Sequence, residues 1–530
     1  MSSEGSEDPS DSLTEDDFSQ NSDASSGDSD QAGKGAPGTA GGGGAFRGGR
    51  ADRSMAQLID ELELWHSPSR VPYATIRISN HHENWPIESA RFKAWLRWRS
   101  MQRGERLGTV ADLEKVIGGL AATAIFSGPE YEIWVRVGEL NGTTFVDLGD
   151  DDWRCVEIPP ADMESDERWF VRDTAPIKFV RRPTMRAMAV PVPGGSIDQL
   201  RGYLNVENEG SFRLAVGWML ACFRPRGPFP ILIIGGTQGS GKSTLLRLLS
   251  RLCDPTQAPE RNLPKDERDL FVAAMCSHLQ TFDNLSGINA GMSDALCRIA
   301  TGGGYSARAL HTDGEEFLLQ ACKPIMLNGI SDLARRGDVA DRSIQVTAAR
   351  LSADKRLPEE EFWNRFAEDE PMILGVLFDA VAWSLRTYAS TPAPAVRMAD
   401  AARFMEAAAE SLGWEKGTFA QLLRENKRQA NEIVIESDPF SAALVDLLEE
   451  KDGDWRGSTT ELLTTLTERV SDKIRRSKMW PISSSGARAG LDRTRDAVES
   501  AGFTFERGHE GPKRARRFIQ FARLPEEHQT

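Results

Sequence analysis

The chain has 530 residues, 40 % of them apolar, with 64 lysines and arginines against 79 aspartates and glutamates for a net charge of -15. That length accommodates about three domains at ~150 residues each. There is no run of about 18 apolar residues, the start Met-Ser-Ser-Glu-Gly is acidic, and Cys155, Cys222, Cys253, Cys276, Cys297 and Cys322 are scattered singly; a membrane span, a secretory leader, a disulfide framework and a structural zinc are not expected, and a cytoplasmic setting is.

The charge is unevenly placed. Residues 1–33 carry ten acids, from Glu4 to Asp30, and no lysine or arginine. Residues 1–52, rich in Ser, Asp and Gly, cannot bury enough apolar surface to offset their ordering entropy and are expected to be a disordered tail. Residues 53–200 are expected to form a small N-terminal α+β domain whose role the sequence leaves open. Ala74–Ile78 alternates like a strand, Ser89–Trp98 has helical spacing, and Glu132–Val137 with Thr144–Leu148 reads as a hairpin across Asn141-Gly142. Asp147, Asp150, Asp151 and Asp152 read as a polar turn ending a strand, because three consecutive acids cannot all face one ion from a strand. His81-His82 reads as a loop pair with no third ligand at metal spacing.

Residues 201–352 hold the most specific pattern. An apolar helix over Ser211–Phe223 feeds the apolar run Pro230–Ile234, followed by Gly236-Thr237-Gln238-Gly239-Ser240-Gly241-Lys242-Ser243 and then the helical Thr244–Leu249. This is G-x-x-x-x-G-K-[ST] between a buried strand and a helix, the context a phosphate-binding loop requires. The glycines let successive backbone N–H groups point at phosphate oxygens, and the positive end of the helix favours the same charge. Gly236 to Thr244 are thus the expected ATP-binding residues, with Lys242 reaching the β/γ-phosphates and Ser243 holding Mg²⁺. Asp283, at the end of what is expected to be the neighbouring strand, is placed to bind the same Mg²⁺ through water and polarise the attacking water. The next residue is Asn284, where an acid would serve as base. Further buried strands at His278–Phe282, Pro324–Leu327 and Ser343–Val346 predict an α/β P-loop NTPase fold, AAA+-like, with a parallel sheet flanked by helices.

Residues 353–436 read as a helical domain, with Pro371–Trp383 the clearest amphipathic stretch. Over 437–525, helices at Phe440–Leu448, Thr459–Arg469 and Ser485–Ser500 precede strands at Phe503–Phe505 and Arg517–Phe521, a winged-helix-like order. This last stretch is basic, and Arg488, Arg493 and Arg495 on the third helix with Lys513, Arg514, Arg516 and Arg517 at the wing would give salt-dependent phosphate contacts.

The segment Leu296–Val346, with Thr301-Gly-Gly, Arg308, His311, Asn328-Gly-Ile and Asp341-Arg342-Ser-Ile, resembles the core of superfamily-3 helicases, in particular the helicase half of phage, plasmid and poxvirus primase-helicases. The resemblance covers about residues 205–352. It implies a hairpin facing single-stranded DNA in the pore of a hexameric ring, with Arg308 and His311 as its DNA contacts. It also implies Asn328 as the sensor of the γ-phosphate and Arg342 as an arginine finger entering the neighbouring subunit's site. Arg493 and Arg514 are the DNA candidates of the basic module. The chain departs from the pattern at Asn284 and at the acidic hairpin turn His311–Glu316. The function expected is an ATP-dependent DNA helicase or translocase of a mobile-element replication system, with any primase or polymerase a separate partner and no membrane involved. The alternatives are an ATP-gated DNA-binding switch or loader without unwinding, and a nucleotide or small-molecule kinase.

Overall fold

A computed structural model describes residues 61–102, 109–160, 168–308, 316–329, 333, 337–352, 356–477, 479–510 and 516–525. The acidic tail expected over 1–52, His311 and Arg514 lie outside these residues.

Strands β1 (Glu63–His66), β2 (Pro72–Ile78) and β3 (His81–Pro86) form an antiparallel sheet. Helices α1 (Ala90–Gln102) and α2 (Val110–Phe126) cover it, enclosing Ile76, Phe92, Leu96, Ile117 and Leu120. His81 and His82 open β3, opposite Ile78 and Arg77, rather than sitting in a loop. Pairing with β2 satisfies their backbone, and the His81 ring stacks on Trp153 at 5.9 Å. There follow β4 (Ile133–Trp134), β5 (Val137–Leu140), β6 (Thr143–Asp147), β7 (Cys155–Ile158), β8 (Phe170–Arg172) and β9 (Lys178–Phe179). The single strand expected over Glu132–Val137 is cut by Arg136, whose φ is 66°. On one side β4 pairs with β9; on the other β5 turns into β6 across Asn141 and Gly142, at φ of 51° and 82°, the left-handed pair that a two-residue hairpin needs. The acidic turn is neutralised from within: Arg181 Nε donates to Asp147 at 2.9 Å and Arg154 Nε to Asp150 at 2.7 Å.

The centre of the molecule is built from α3 (Glu209–Cys222), β10 (Ile231–Gly235), α4 (Lys242–Cys253), α5 (Glu267–Cys276), β11 (Gln280–Leu285), α6 (Ala290–Thr301), β12 (Gly304–Arg308), β13 (Glu316–Gln320), β14 (Ile325–Gly329), α7 (Gly337–Ala340) and β15 (Ser343–Thr347). Four of the strands form a parallel sheet in the order β11-β14-β10-β15. Both faces are buried, which is why β10 reads as an unbroken apolar run. Leu232 and Ile234 pack with Trp218, Leu246 and Phe378; Ile231 and Ile233 pack with Phe271, Leu296 and Val434. Strands β12 and β13 pair separately as a hairpin, entered from α6 through Gly302 at φ 92°.

Arg136 ties the N-terminal strands to this sheet. It is fully buried, donating Nε to Asp254 at 2.8 Å, Nη1 to the Asp147 carbonyl at 2.9 Å and Nη2 to the Arg186 carbonyl at 2.8 Å. Asp254 ends α4, and its other oxygen accepts the N–H groups of His278 and Leu279, each at 3.0 Å.

Helices α8 (Glu359–Thr387), α9 (Ala399–Ala408) and α10 (Thr418–Ser437) follow. By length and composition α8 could cross a membrane; here Ile373, Leu377, Phe378 and Val381 are buried in the central core. The last region runs α11 (Pro439–Glu450), β16 (Trp455–Gly457), α12 (Thr459–Arg469), α13 (Asp472–Arg475), α14 (Ser484–Arg493), α15 (Arg495–Ser500), β17 (Phe503–Glu510) and β18 (Arg516–Arg523). Its antiparallel sheet has the order β16-β18-β17, over a core that includes Phe440, Leu448, Leu491 and Phe521. The single helix expected over Ser485–Ser500 is interrupted at Thr494, whose hydroxyl bonds back to the Gly490 carbonyl at 3.0 Å.

Candidate phosphate-binding site

The loop between β10 and α4 bends through three left-handed glycines, Gly236, Gly239 and Gly241, at φ of 137°, 77° and 79°. Space is as tight as conformation at Gly236, where a Cβ would lie 2.9 Å from the Ala348 carbonyl oxygen. Thr237 and Gln238 complete the curve. Asn205, which the sequence reading missed, braces it from outside: its Nδ2 donates to the Ser240 carbonyl at 2.9 Å and the Ala349 carbonyl at 2.7 Å. It precedes the motif by a whole helix and strand, and no local pattern marks it.

Lys242 turns back over the loop, its Nζ donating to the carbonyls of Gly236 at 3.1 Å and Thr237 at 3.0 Å. The Ser243 hydroxyl lies 3.1 Å from Asp283 Oδ2 and donates to that carboxylate. Asn328 Nδ2 donates both to Asp283 Oδ1 and, at 3.4 Å, to Ser243 Oγ. Thr244 lies one residue further along α4. Asp283 is not on the strand next to β10: β14 stands between, and it is β14 that carries Asn328. Three strand and helix ends therefore converge on one point at the carboxyl edge of the sheet. The described residues there leave two buried polar atoms without a partner, Ser240 Oγ and Asn328 Oδ1. Unpaired buried polar atoms are costly.

Asn284 has φ 55° and sits in an irregular step of β11. Among non-glycine residues, asparagine is one of the few that adopt this left-handed conformation readily, and glutamate is not.

Beside the loop opens a cleft of about 530 Å³, bounded by Tyr203, Thr244, Arg356, Phe362 and Trp363. Arg356 Nη2 comes within 3.9 Å of the position a Cβ on Gly239 would occupy.

Arg342 lies elsewhere. It precedes β15, and its carbonyl accepts the N–H of Ile231, the first residue of β10, so it stands at the amino edge of the sheet. The phosphate loop is at the carboxyl edge, a strand length away, about 16 Å at ~3.3 Å per residue. Its Nη1 donates to the Asp338 carbonyl at 2.9 Å, and its Nε is buried without a partner among the described residues. Its neighbour Asp341 is buried and paired with Arg397 and, at 2.8 Å, with Lys427. Arg308 is the last residue of β12, and Arg493 is exposed at the end of α14.

Two family models match the chain: the actinomycete integrative conjugative element replication protein over residues 197–417, and the C-terminal domain of the same RepA over residues 440–529. Together they span more than half of the sequence, including the loop, Asp283, Asn328, Arg342 and the basic module. The chain is a replication protein of a mobile element. No curated protein matches it. Among solved structures, an apo form of the NrS-1 C-terminal region shares 11 % identity over 89 % of this chain and 98 % of that one, with a TM-score of 0.38. Another apo structure of that region shares 13 % identity over 61 % and 68 %, with a TM-score of 0.35.

Proposed function

We propose that this replication protein is an ATP-hydrolysing motor that works on DNA as a ring of like subunits. The observation that supports this most is the mutual bonding of Ser243, Asp283 and Asn328 at the end of a glycine loop over which Lys242 is folded, with the buried Oδ1 of Asn328 unpartnered among the described residues. The donor set suits Mg²⁺ with a triphosphate: a hydroxyl and a carboxylate for a hard cation, backbone N–H groups and a lysine for phosphate oxygens. Mg²⁺, when bound, supplies neutralisation of the phosphate charge. Lys242, freed from the two loop carbonyls, turns to the phosphates. Asp283 holds the metal side through Ser243, and Asn328 uses its free Oδ1 to orient the water that attacks. The cleft next to Thr244 is large enough for the base and sugar, with Tyr203 and Trp363 as aromatic walls.

Arg342 cannot reach the site of its own chain from the opposite edge of the sheet. That placement supports an arginine offered to the next subunit, and with it sites shared across interfaces. The order of residues 439–523, a helix, a short strand, four helices and then two strands, supports a winged helix, with α14 as the helix that enters a groove. Arg308, at the turn end of the β12–β13 hairpin, stands as the pore contact.

Steady-state ATPase, measured with and without single-stranded DNA, tests the reading: DNA-stimulated turnover that vanishes in Lys242→Ala supports it, and a protein that neither binds nor hydrolyses ATP rejects it. The left-handed Asn284 favours a second reading, a slow ATP-gated switch or loader. Strand displacement on a forked duplex separates the two, since only the motor yields ATP-dependent product.

A further inference from the structure

The basic module carries an apolar tip that its own core does not use. Ile482 is 94 % exposed and Met479 50 %, on the segment that turns directly into α14. Trp480 between them is buried against Phe440, with ring centroids 6.0 Å apart, so the backbone of this segment is anchored while its two aliphatic side chains project. A single exposed aliphatic residue is ordinary. What surrounds this pair is not. Lys473 and Arg476 precede it, Arg488 and Arg493 follow it along α14, and all four are exposed with no carboxylate partner among the described residues. Other cations of the same module behave differently: Arg456 pairs with Glu510, Arg475 with Asp472 and Arg507 with Asp492.

The exposed face of α14 runs Ser485, Arg488, Ala489, Asp492 and Arg493, a helical stripe of small and cationic residues whose one acid, Asp492, is held by Arg507 at 2.8 Å. Small residues let another surface approach closely, and unpaired cations require that surface to be anionic. An apolar protein groove would have to desolvate four like charges; a nucleic-acid duplex offers phosphates to the cations and apolar base edges between them. The pyrimidine methyl of thymine is the apolar feature of the major groove.

We propose that Ile482 and Met479 are base-contacting residues, carried into the major groove of duplex DNA at the start of α14 while Lys473, Arg476, Arg488 and Arg493 take phosphates. This rests on the reading that the module binds DNA, and adds that its contacts divide into a salt-dependent set and a base-directed, salt-independent one.

Fluorescence anisotropy of a labelled thymine-containing duplex with the full chain, across a salt series, tests the division. Arg488→Ala should lower the slope of log affinity against log salt by about 0.9. Ile482→Ser should weaken binding about tenfold with the slope unchanged, and replacing thymine by deoxyuridine should weaken the wild type while sparing Ile482→Ser. Because Ile482 is almost wholly in water, its thermal midpoint should match wild type, and Met479→Ser provides a second reading. Wild type that binds duplex while both apolar variants bind equally well at every salt concentration overturns the inference alone. Wild type that binds no duplex removes the DNA reading and the inference together. A loss in Ile482→Ser confined to binding of phosphatidylglycerol vesicles, or to self-association in light scattering, assigns the tip to another occupant and also overturns it.

Discussion

The carboxyl edge of the parallel sheet and the exposed face of α14 are both polar and both rich in candidate contacts, yet they are organised in opposite ways. At the sheet edge the side chains hold one another: Lys242 sits on Gly236 and Thr237, and Ser243, Asp283 and Asn328 are mutually bonded. On α14 and the segment before it, Lys473, Arg476, Arg488 and Arg493 pair with no carboxylate among the described residues. A site for a small, multiply charged ligand gains from groups fixed before it arrives, because their reorganisation is already done. A surface for a polyanion gains from loose, solvated cations whose contribution comes largely from displaced counterions. The difference teaches which substitutions should be felt as geometry and which as charge.

The largest effect should come from Arg342→Ala. Turnover should fall roughly 10³- to 10⁵-fold while fluorescent nucleotide still binds; normal hydrolysis would remove Arg342 from the site. Mixing this variant with Lys242→Ala should recover part of the activity, since each supplies what the other lacks at a shared interface.

Next in size is a change far from either region. Arg136→Ala leaves the Asp254 carboxylate buried and short of its partner, and should lower unfolding free energy by about 3–5 kcal/mol in denaturant titration. A loss below about 1 kcal/mol would mean the pair is not the fastening it looks to be.

A pH effect of similar origin follows from His278, buried and donating its Nε2–H to the Cys222 carbonyl at 2.6 Å. Burial, with Lys323 adding to it, pushes its imidazole down to about 4 from 6.5. The unfolded chain then takes up a proton as pH falls through 6.5 while the folded chain stays neutral until about 4. Stability is fully present above the higher value and is lost between the two, by about 3 kcal/mol at most. His278→Gln should flatten that part of a pH-dependent melting curve; an unchanged curve would point to other groups.

Smallest is Arg493→Ala. Its thermal midpoint should stay within experimental scatter and DNA affinity should weaken a few-fold, with the salt slope falling by about 0.9. A shift in stability instead would show that α14 needs this side chain for its own packing.

Much of this architecture was legible in the sequence, for definable reasons. Strands buried on both faces announce themselves as apolar runs, as at Ile231–Ile234, and the glycine spacing after one of them fixes the loop. What stayed hidden depended on single backbone angles or on long-range contacts. The left-handed Arg136 splits a strand that alternates perfectly well on paper. His81 and His82 look like a loop because two imidazoles carry no strand signal; they are in a strand because β2 pairs with them. Thr494 breaks a helix through one back-bond, and β16 is only three residues long. At the site, Asn205 was invisible because its work is done by tertiary placement, and the intervening strand that brings Asn328 against Ser243 and Asp283 is a fact of topology. The tip of the β12–β13 hairpin, with His311, and the turn between β17 and β18, with Arg514, lie outside the described residues.

Arg342 at one edge of the sheet and Lys242 at the other carry a consequence for the life of the element. If sites are shared between subunits, as proposed, a newly made chain holds two halves that belong to different sites, and a lone molecule is silent whatever the nucleotide supply. Onset of activity then follows a steep power of protein concentration rather than a linear one. A few stray copies would leave host DNA untouched, and replication would begin only once expression had crossed the level at which rings close.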